Sequence, residues 1–264
     1  MIIDFHTHCF PEKIAFKAME QLKLRSGITR PAHDGTSASL ANLAKTDGVD
    51  YSVVLSIATN PKQQRSVNDF AISLKEIDGI IPFGSVHPDS DCALEELERL
   101  KENGIKGVKL HPDYQGFFVD DDKMLPIYEK IASLGLITVF HCGFDIGFPD
   151  PVHCTAKAFA SVIDSFGNAP VVAAHLGGLC SADETVEYLA GKNIYMDTAY
   201  CSGVMSPAWA KRIVAAHGAD KILLGSDAPW NSPMQDIEFV KCLGLSEEEE
   251  KAILGENARK LLSL

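Results

Sequence analysis

Eight short runs of aliphatic and β-branched residues recur along this 264-residue chain, most of them separated by a stretch with helical spacing. They fall at residues 2–6, 51–57, 80–86, 105–110, 136–140, 171–174, 194–198 and 222–225. Strands that alternate with helices must be joined by crossovers, so their sheet is parallel. Crossovers are right-handed, and eight in succession can close into a (β/α)₈ TIM barrel, a fold of about 250 residues. A doubly wound open sheet satisfies the same alternation and is the rival. Helices are expected at 11–24, 37–45, 62–75, 91–103, 121–134, 156–166, 247–254 and 258–262. Asp91 is placed as an N-cap and Gly135 as a C-terminal stop. No internal repeat or Pro/Gly-rich linker divides the chain, which reads as one domain over residues 1–264.

The polar residues that end these runs carry the functional signal. His6 and His8 close the first, Lys109 and His111 the fourth, His141 the fifth, His175 the sixth and Asp227 the eighth. Carboxyl ends of parallel barrel strands share one rim, where barrel active sites are built. In extended backbone, residues i and i+2 face the same way, so His6 and His8 can reach one cation. A third imidazole, His141, and the carboxylate of Asp227 complete a donor set suited to zinc. His/Asp sets also accept manganese or iron. Taken alone, His6-Thr7-His8 reads as well as a turn cap. Its conjunction with three further strand-ending residues makes it a metal site. His33, His153 and His217 stand apart and read as structural. His87 and Tyr200 are weaker rim candidates, and Arg65 falls inside a helix pattern. Trp230 and Asn231 follow Asp227 and are expected to line a pocket with His111. Phe117 and Phe118 either cover the site or simply pack, and at least one of Phe144, Asp145 and Phe148 is expected at the pocket.

Charge and cysteine usage narrow the partners. The formal net charge of −12 argues against a nucleic-acid partner, which asks for a basic surface. Glu247 to Glu250 and Asp120 to Asp122 are local acidic runs suited to solvated faces or helix starts. The seven cysteines form no CxxC pair, so free thiols in a reducing compartment are expected. Strand alternation turns Cys9 and Cys142 away from the adjacent histidines. No run approaches the ~20 apolar residues of a membrane span, and no signal-peptide pattern opens the chain. A cytoplasmic enzyme with a small-molecule substrate follows, and a homo-oligomer is compatible with the sequence.

The segment Asp4-Phe5-His6-Thr7-His8-Cys9-Phe10-Pro11 resembles the opening of amidohydrolase-superfamily proteins. So do Gly107-Val108-Lys109-Leu110-His111-Pro112, Ala174-His175-Leu176-Gly177-Gly178, Gly225-Ser226-Asp227-Ala228-Pro229-Trp230 and Gly255-Glu256-Asn257-Ala258-Arg259. Together they are similar to the amidohydrolase 2 branch, which contains the aminocarboxymuconate-semialdehyde decarboxylase type. The resemblance spans residues 2–262 and says little about substrate. It implies that His6, His8, His141 and Asp227 ligate one metal, most readily zinc. It implies that His175 is an acid/base beside the metal and that Asp227 both ligates and shuttles a proton. In two-metal members a carbamylated lysine at the position of Lys109 bridges the ions, with the fifth- and sixth-strand histidines on the second. Otherwise Lys109 is an ammonium that binds a substrate carboxylate or pairs with an acid.

Two chemistries fit this pattern. One is hydrolysis of an amide, lactone or related carbonyl by activated water. The other is non-oxidative decarboxylation or hydration of a small unsaturated acid. A non-catalytic barrel with a structural metal is disfavoured by the extra histidine and lysine beside the ligands. Nucleases of the TatD type also begin with HxH but carry a glutamate on strand four, where this chain has Lys109.

Overall fold

The computed structural model describes residues 1–148 and 150–264. Eight parallel strands appear where the apolar runs predict them: β1 (Ile3–Thr7), β2 (Tyr51–Leu55), β3 (Ile80–Phe83), β4 (Gly107–Leu110), β5 (Ile137–Phe140), β6 (Val171–Ala173), β7 (Tyr195–Asp197) and β8 (Ile222–Leu223). They form two arcs, β1-β2-β3 and β4-β5-β6-β7-β8. Backbone hydrogen bonds join the arcs at both seams. Gly84 N donates to Gly107 O (3.0 Å) and Lys109 N to Gly84 O (2.8 Å) at one, while Phe5 N donates to Leu224 O (2.7 Å) at the other. The order of the strands around the ring is their order in the chain, which makes this a TIM barrel rather than a doubly wound sheet.

Alternate residues of the strands fill the interior, among them Ile3, Phe5, Val53, Leu55, Val139, Val172 and Leu223. Ala258 and Leu262 of the last helix join the same cluster. The second set of strand residues, including Val108, Leu110 and Phe140, packs outward on the helices, where Tyr128 and Phe166 meet Phe140 edge to face. Gly107 shows how tightly the inner layer fits. A Cβ there would lie 2.3 Å from the Phe83 ring and 2.5 Å from Ile137 O.

Inward parity carried up each strand brings Lys109, His141 and Asp197 to the mouth. In β1 the pairing register with β2 shifts between Asp4 and Thr7. Such irregularities re-aim side chains near active sites. Here Thr7 turns to the backbone of β2 (Oγ1 to Val53 O, 2.8 Å), and His6 and His8 take the mouth.

The helices follow expectation where sequence periodicity was strong, with differences at their ends. The helix expected from residue 91 begins at Ala93, and Cys92 rather than Asp91 holds the N-cap position, with no side-chain cap. Gly135 adopts the left-handed conformation expected of a helix stop (φ 60°). The acidic run after Ser246 opens a helix through a capping box with Glu249. The longer helices Pro207–His217 and Pro233–Cys242 have no counterpart among the expected ones, nor do the short helices Pro112–Gln115, Ala182–Glu184 and Cys201–Val204. No helix among the described residues is long and apolar enough to cross a membrane.

Candidate metal centre

His6 is buried, and its Nδ1 lies 2.8 Å from Oδ2 of Asp197 at the end of β7. A carboxylate beside one ring nitrogen holds the proton there and leaves the other nitrogen bare. His6 Nε2 stands 3.3 Å from Asp227 Oδ1. His8 repeats the arrangement with a different partner. Its Nδ1 lies 2.9 Å from Leu55 O, a group that only accepts, so Nε2 is bare and sits 3.1 Å from the same Asp227 oxygen. Two imidazole lone pairs and a carboxylate oxygen thus converge, all within 4.8 Å of one another, with no proton among them. Three acceptors facing each other repel unless a cation lies between them, and imidazole and carboxylate are the donors a divalent metal prefers. The residues present therefore fit the metal expected from the sequence.

Local structure holds this cluster in place. Asp4, buried on β1, accepts from Ser226 N (2.9 Å) and Ser226 Oγ (2.5 Å), fixing the turn that presents Asp227. Asp227 itself has φ 66° and donates its N–H to His6 O (2.8 Å). His175 (φ 58°) donates its N–H to Asp197 Oδ1 (2.9 Å). Non-glycine residues in this region cost energy, and such strain gathers at functional sites.

His175 connects the cluster to His141. Its Nδ1 lies 2.8 Å from Ala199 O, and its Nε2 lies 3.0 Å from His141 Nδ1. His141 stacks on His111, with ring centroids 4.1 Å apart and planes at 6°. Donor atoms of His111, His141 and Asp145 form a second group with separations within 4.8 Å. The sequence reading put His141 directly with His6, His8 and Asp227. The structure brings it to the same mouth, one imidazole further on. Lys109 Nζ lies 3.3 Å from His6 Nε2.

Burial shapes the charges. It lowers the pKa of His6, His111 and His141 well below the ordinary histidine value, so these rings are neutral near pH 7. Burial also lowers that of Lys109, against the pull of Asp197 and Asp227. For Asp227 burial pushes upward, but the facing His8, His6 and His175 imidazoles prevail, and its pKa falls below the usual carboxylate range. The site thus offers neutral imidazoles and an ionised carboxylate, the protonation states that ligation requires.

A cavity of about 1240 Å³ opens over these groups. His6, His8, Lys109, His111, His141, His175 and Asp227 reach it, as do Tyr200 and Trp230. Asn231 does not. It is buried away from the cavity, and its amide donates to Ser202 Oγ (2.5 Å) and Asp236 Oδ2 (2.6 Å), so it braces the helix after β8 rather than lining the pocket. Cys9 was expected to turn away but contacts the cavity, while Cys142 does turn away, facing Cys154 with sulfurs 3.5 Å apart. Phe117 is core, and Phe118 packs on His153. His87 is buried and accepts from Asp89 N through Nδ1 (3.1 Å) outside the cavity. Arg65 pairs with Asp69 and Glu96 on the surface. All seven cysteines are free thiols.

Asp197, buried behind His6, and Arg25, at the cavity, are not foreseen from the sequence, and Asp145 and Phe148 are foreseen only as members of a loop. Asp197 ends β7 as the other site residues end their strands, and that position was the available signal. Asp145 and Phe148 come from the segment after β5. Arg25, at the end of the first helix, lies with its guanidinium 4.6 Å from the Phe148 ring centre and 5.6 Å from that of Tyr114. Among the described residues no acid pairs with it.

The chain is 31% identical over 113 residues to a dihydroorotase of Helicobacter pylori (strain HPAG1), covering 39% of this chain and 32% of that one. It is 27% identical over 218 residues to a 2-amino-3-carboxymuconate-6-semialdehyde decarboxylase of Dictyostelium discoideum, covering 66% and 58%. The chain thus spans less than two thirds of the length of either curated relative. Among solved structures, an uncharacterized TIM-barrel protein of Bordetella bronchiseptica superposes with TM-score 0.83 at 19% identity, covering 99% and 98%. A manganese-bound dihydroxybenzoic acid decarboxylase of Polaromonas sp. JS666 gives 0.71 at 17%, covering 100% and 97%. With a fold, a donor cluster and a family model matching residues 3–264 in agreement, the chain belongs to the Amidohydrolase family.

Proposed function

We propose that this protein is a metal-dependent hydrolase of a small-molecule amide, lactone or related carbonyl, acting in the cytoplasm. The observation that carries the reading is the convergence of bare His6 Nε2, bare His8 Nε2 and Asp227 Oδ1 below a cavity large enough for a metabolite. His141 would complete the set through Nδ1, which here faces His175 Nε2 at 3.0 Å. One ion is the simplest occupant, zinc first and manganese or iron next. The two-metal form with carbamylated Lys109 is less favoured, because Lys109 Nζ already faces His6 Nε2. The seven free thiols suit a reducing compartment.

A bound divalent cation would make water acidic enough to ionise near neutral pH and would polarise a substrate carbonyl. Asp227, ionised at the cavity, can hold a proton there. His175, whose Nδ1–H is donated to Ala199 O, keeps a bare Nε2 at the cavity and can receive that proton for delivery to a leaving group. Lys109, buried beside His6, adds positive charge where an oxyanion would develop. Trp230 and Tyr200 bound the substrate space.

Non-oxidative decarboxylation is the second reading. It draws support from the 27% identical relative, itself named a decarboxylase, and from Arg25, a cation at the cavity free to meet a carboxylate. One experiment separates the two. Zinc- or manganese-loaded protein is presented with cyclic amides, lactones and hydroxybenzoates in ¹⁸O-water. Hydrolysis puts ¹⁸O into product without CO₂, and decarboxylation releases CO₂ without ¹⁸O. No turnover over the whole panel, with metal bound, contradicts both.

A further inference from the structure

Asp145 lies on the segment after β5, and its carboxylate is fixed. Oδ1 accepts from Gly147 N (2.7 Å), and Phe148 N donates to Asp145 O (3.0 Å), closing a tight turn. Oδ2 is left facing two imidazoles, 3.3 Å from His111 Nε2 and 3.9 Å from His141 Nε2. Tyr114 N donates to His111 Nδ1 (3.4 Å), so the proton of that neutral ring is on Nε2 and points to Asp145.

His141 is the unsatisfied member. Its Nε2 is buried and has no hydrogen-bond partner among the described residues. The cause lies one residue away. His175 spends its Nδ1–H on Ala199 O, so its Nε2 is bare, and the 3.0 Å contact between the rings needs the proton of His141 Nδ1. His141 Nε2 is then bare too. It faces a carboxylate oxygen across 3.9 Å, acceptor against acceptor, which keeps the two apart.

Ligation reverses this tautomer. Nδ1 is the edge of His141 turned to His175, and through it to His6, whose ring centre is 5.2 Å from that of His175. A lone pair on Nδ1 requires the proton on Nε2. We propose that Asp145 is the positioning residue for His141: it accepts Nε2–H and so holds the tautomer whose Nδ1 is free for the cation. The change is one proton relocated from Nδ1 to Nε2 by exchange with solvent, with no other bond made or broken. His111, through its own Nε2–H, keeps the Asp145 carboxylate on station. Carboxylates behind ligating imidazoles act in this way in metal sites generally, and losing one weakens metal affinity about 10- to 100-fold. The inference rests on the metal-dependent reading above.

The test uses full-length protein and Zn²⁺, with affinity read by competition against a chromophoric chelator. Asp145→Ala is expected to weaken zinc binding about 10- to 100-fold, while Asp145→Asn, which still offers an amide oxygen, loses less. Long-range ¹H–¹⁵N spectra of the zinc-loaded wild type, with His141 assigned by its absence in His141→Asn, are expected to show Nε2 protonated. This measurement stands even where a variant fails to fold. Wild-type affinity in folded Asp145→Ala, or a proton on Nδ1 of zinc-bound His141, overturns the proposal. Asp227→Asn is the control. If wild type takes up no zinc, or Asp227→Asn holds it as tightly, the metal reading itself fails. If zinc is lost only there, the Asp145 inference alone is refuted.

Discussion

Replacing Asp197 by Asn changes one atom in a fully buried carboxylate and tests how the site keeps His6 ready to bind. Asp197 Oδ1 accepts two backbone donors, His175 N (2.9 Å) and Ala199 N (3.1 Å), while Oδ2 faces His6 Nδ1 (2.8 Å). The Asn amide has one oxygen, and the two backbone donors claim it. Its NH₂ then faces His6 Nδ1 and donates, which drives the His6 proton to Nε2, the nitrogen needed by the cation. Restoring the binding tautomer means setting two donors against each other. Metal affinity should fall about 10- to 100-fold, or roughly 1.4–2.8 kcal/mol. Folding should suffer less, on the order of 1 kcal/mol, because the backbone donors stay satisfied and one buried bond of several is altered. Chelator competition gives the affinity, and urea denaturation of the metal-free protein gives the stability. Affinity within twofold of wild type would refute the tautomer argument. An equal large loss in both assays would show that Asp197 holds the fold rather than the ligand.

Further outcomes follow from other parts of the structure. Burial raises the Asp236 pKa to about 8 from its ordinary 3.8. A raised folded-state pKa means that the folded chain holds this proton more tightly, so stability is greatest at low pH and declines as pH rises from about 4 to 8. Denaturation midpoints of Asp236→Asn should therefore depend less on pH over that window, and an unchanged profile would exclude Asp236 as the source. Gly107→Ala should destabilise by more than about 2 kcal/mol, since its Cβ would collide with Phe83 and with Ile137 O, and a thermal melt close to wild type would contradict the packing described. Arg25→Met should raise KM about tenfold or more for a carboxylate-bearing substrate and leave kcat nearly unchanged, because the guanidinium lies among rings at the cavity edge rather than at the metal cluster. A fall in kcat alone would place Arg25 in the chemistry instead.

The strands were legible because parallel strands covered on both faces read as continuous apolar runs, and Val53-Val54-Leu55 is as plain an example as Val171-Val172-Ala173. The observed strands are shorter than the runs at one or both ends: the run 80–86 holds the strand Ile80–Phe83, and the run 194–198 holds Tyr195–Asp197. The helices Pro207–His217 and Pro233–Cys242 were missed although each begins with Ser-Pro, a hydroxyl N-cap followed by proline at the first helical position. Their apolar stripes are broken by Lys211, Arg212 and Asp236, and periodicity alone passed over them. In the site, His6, His8, His175 and Asp227 were legible because a parallel barrel turns strand ends into neighbours. Asp145 and Arg25 were not singled out, since neither ends a strand: the segment after β5 carries Asp145 to the cavity, and the end of the first helix carries Arg25. Asn231 misled for the opposite reason. Its nearness in sequence to Asp227 suggested the pocket, but the chain turns at that point and commits its amide to Asp236.

Diffraction from zinc-loaded crystals, collected on both sides of the zinc absorption edge, tests the metal centre most directly. One anomalous peak is predicted about 2.0–2.2 Å from Nε2 of His6, Nε2 of His8 and an oxygen of Asp227, with His141 drawn in through Nδ1. No peak among those atoms, or a second of equal height beside a modified Lys109, would contradict a single-ion centre.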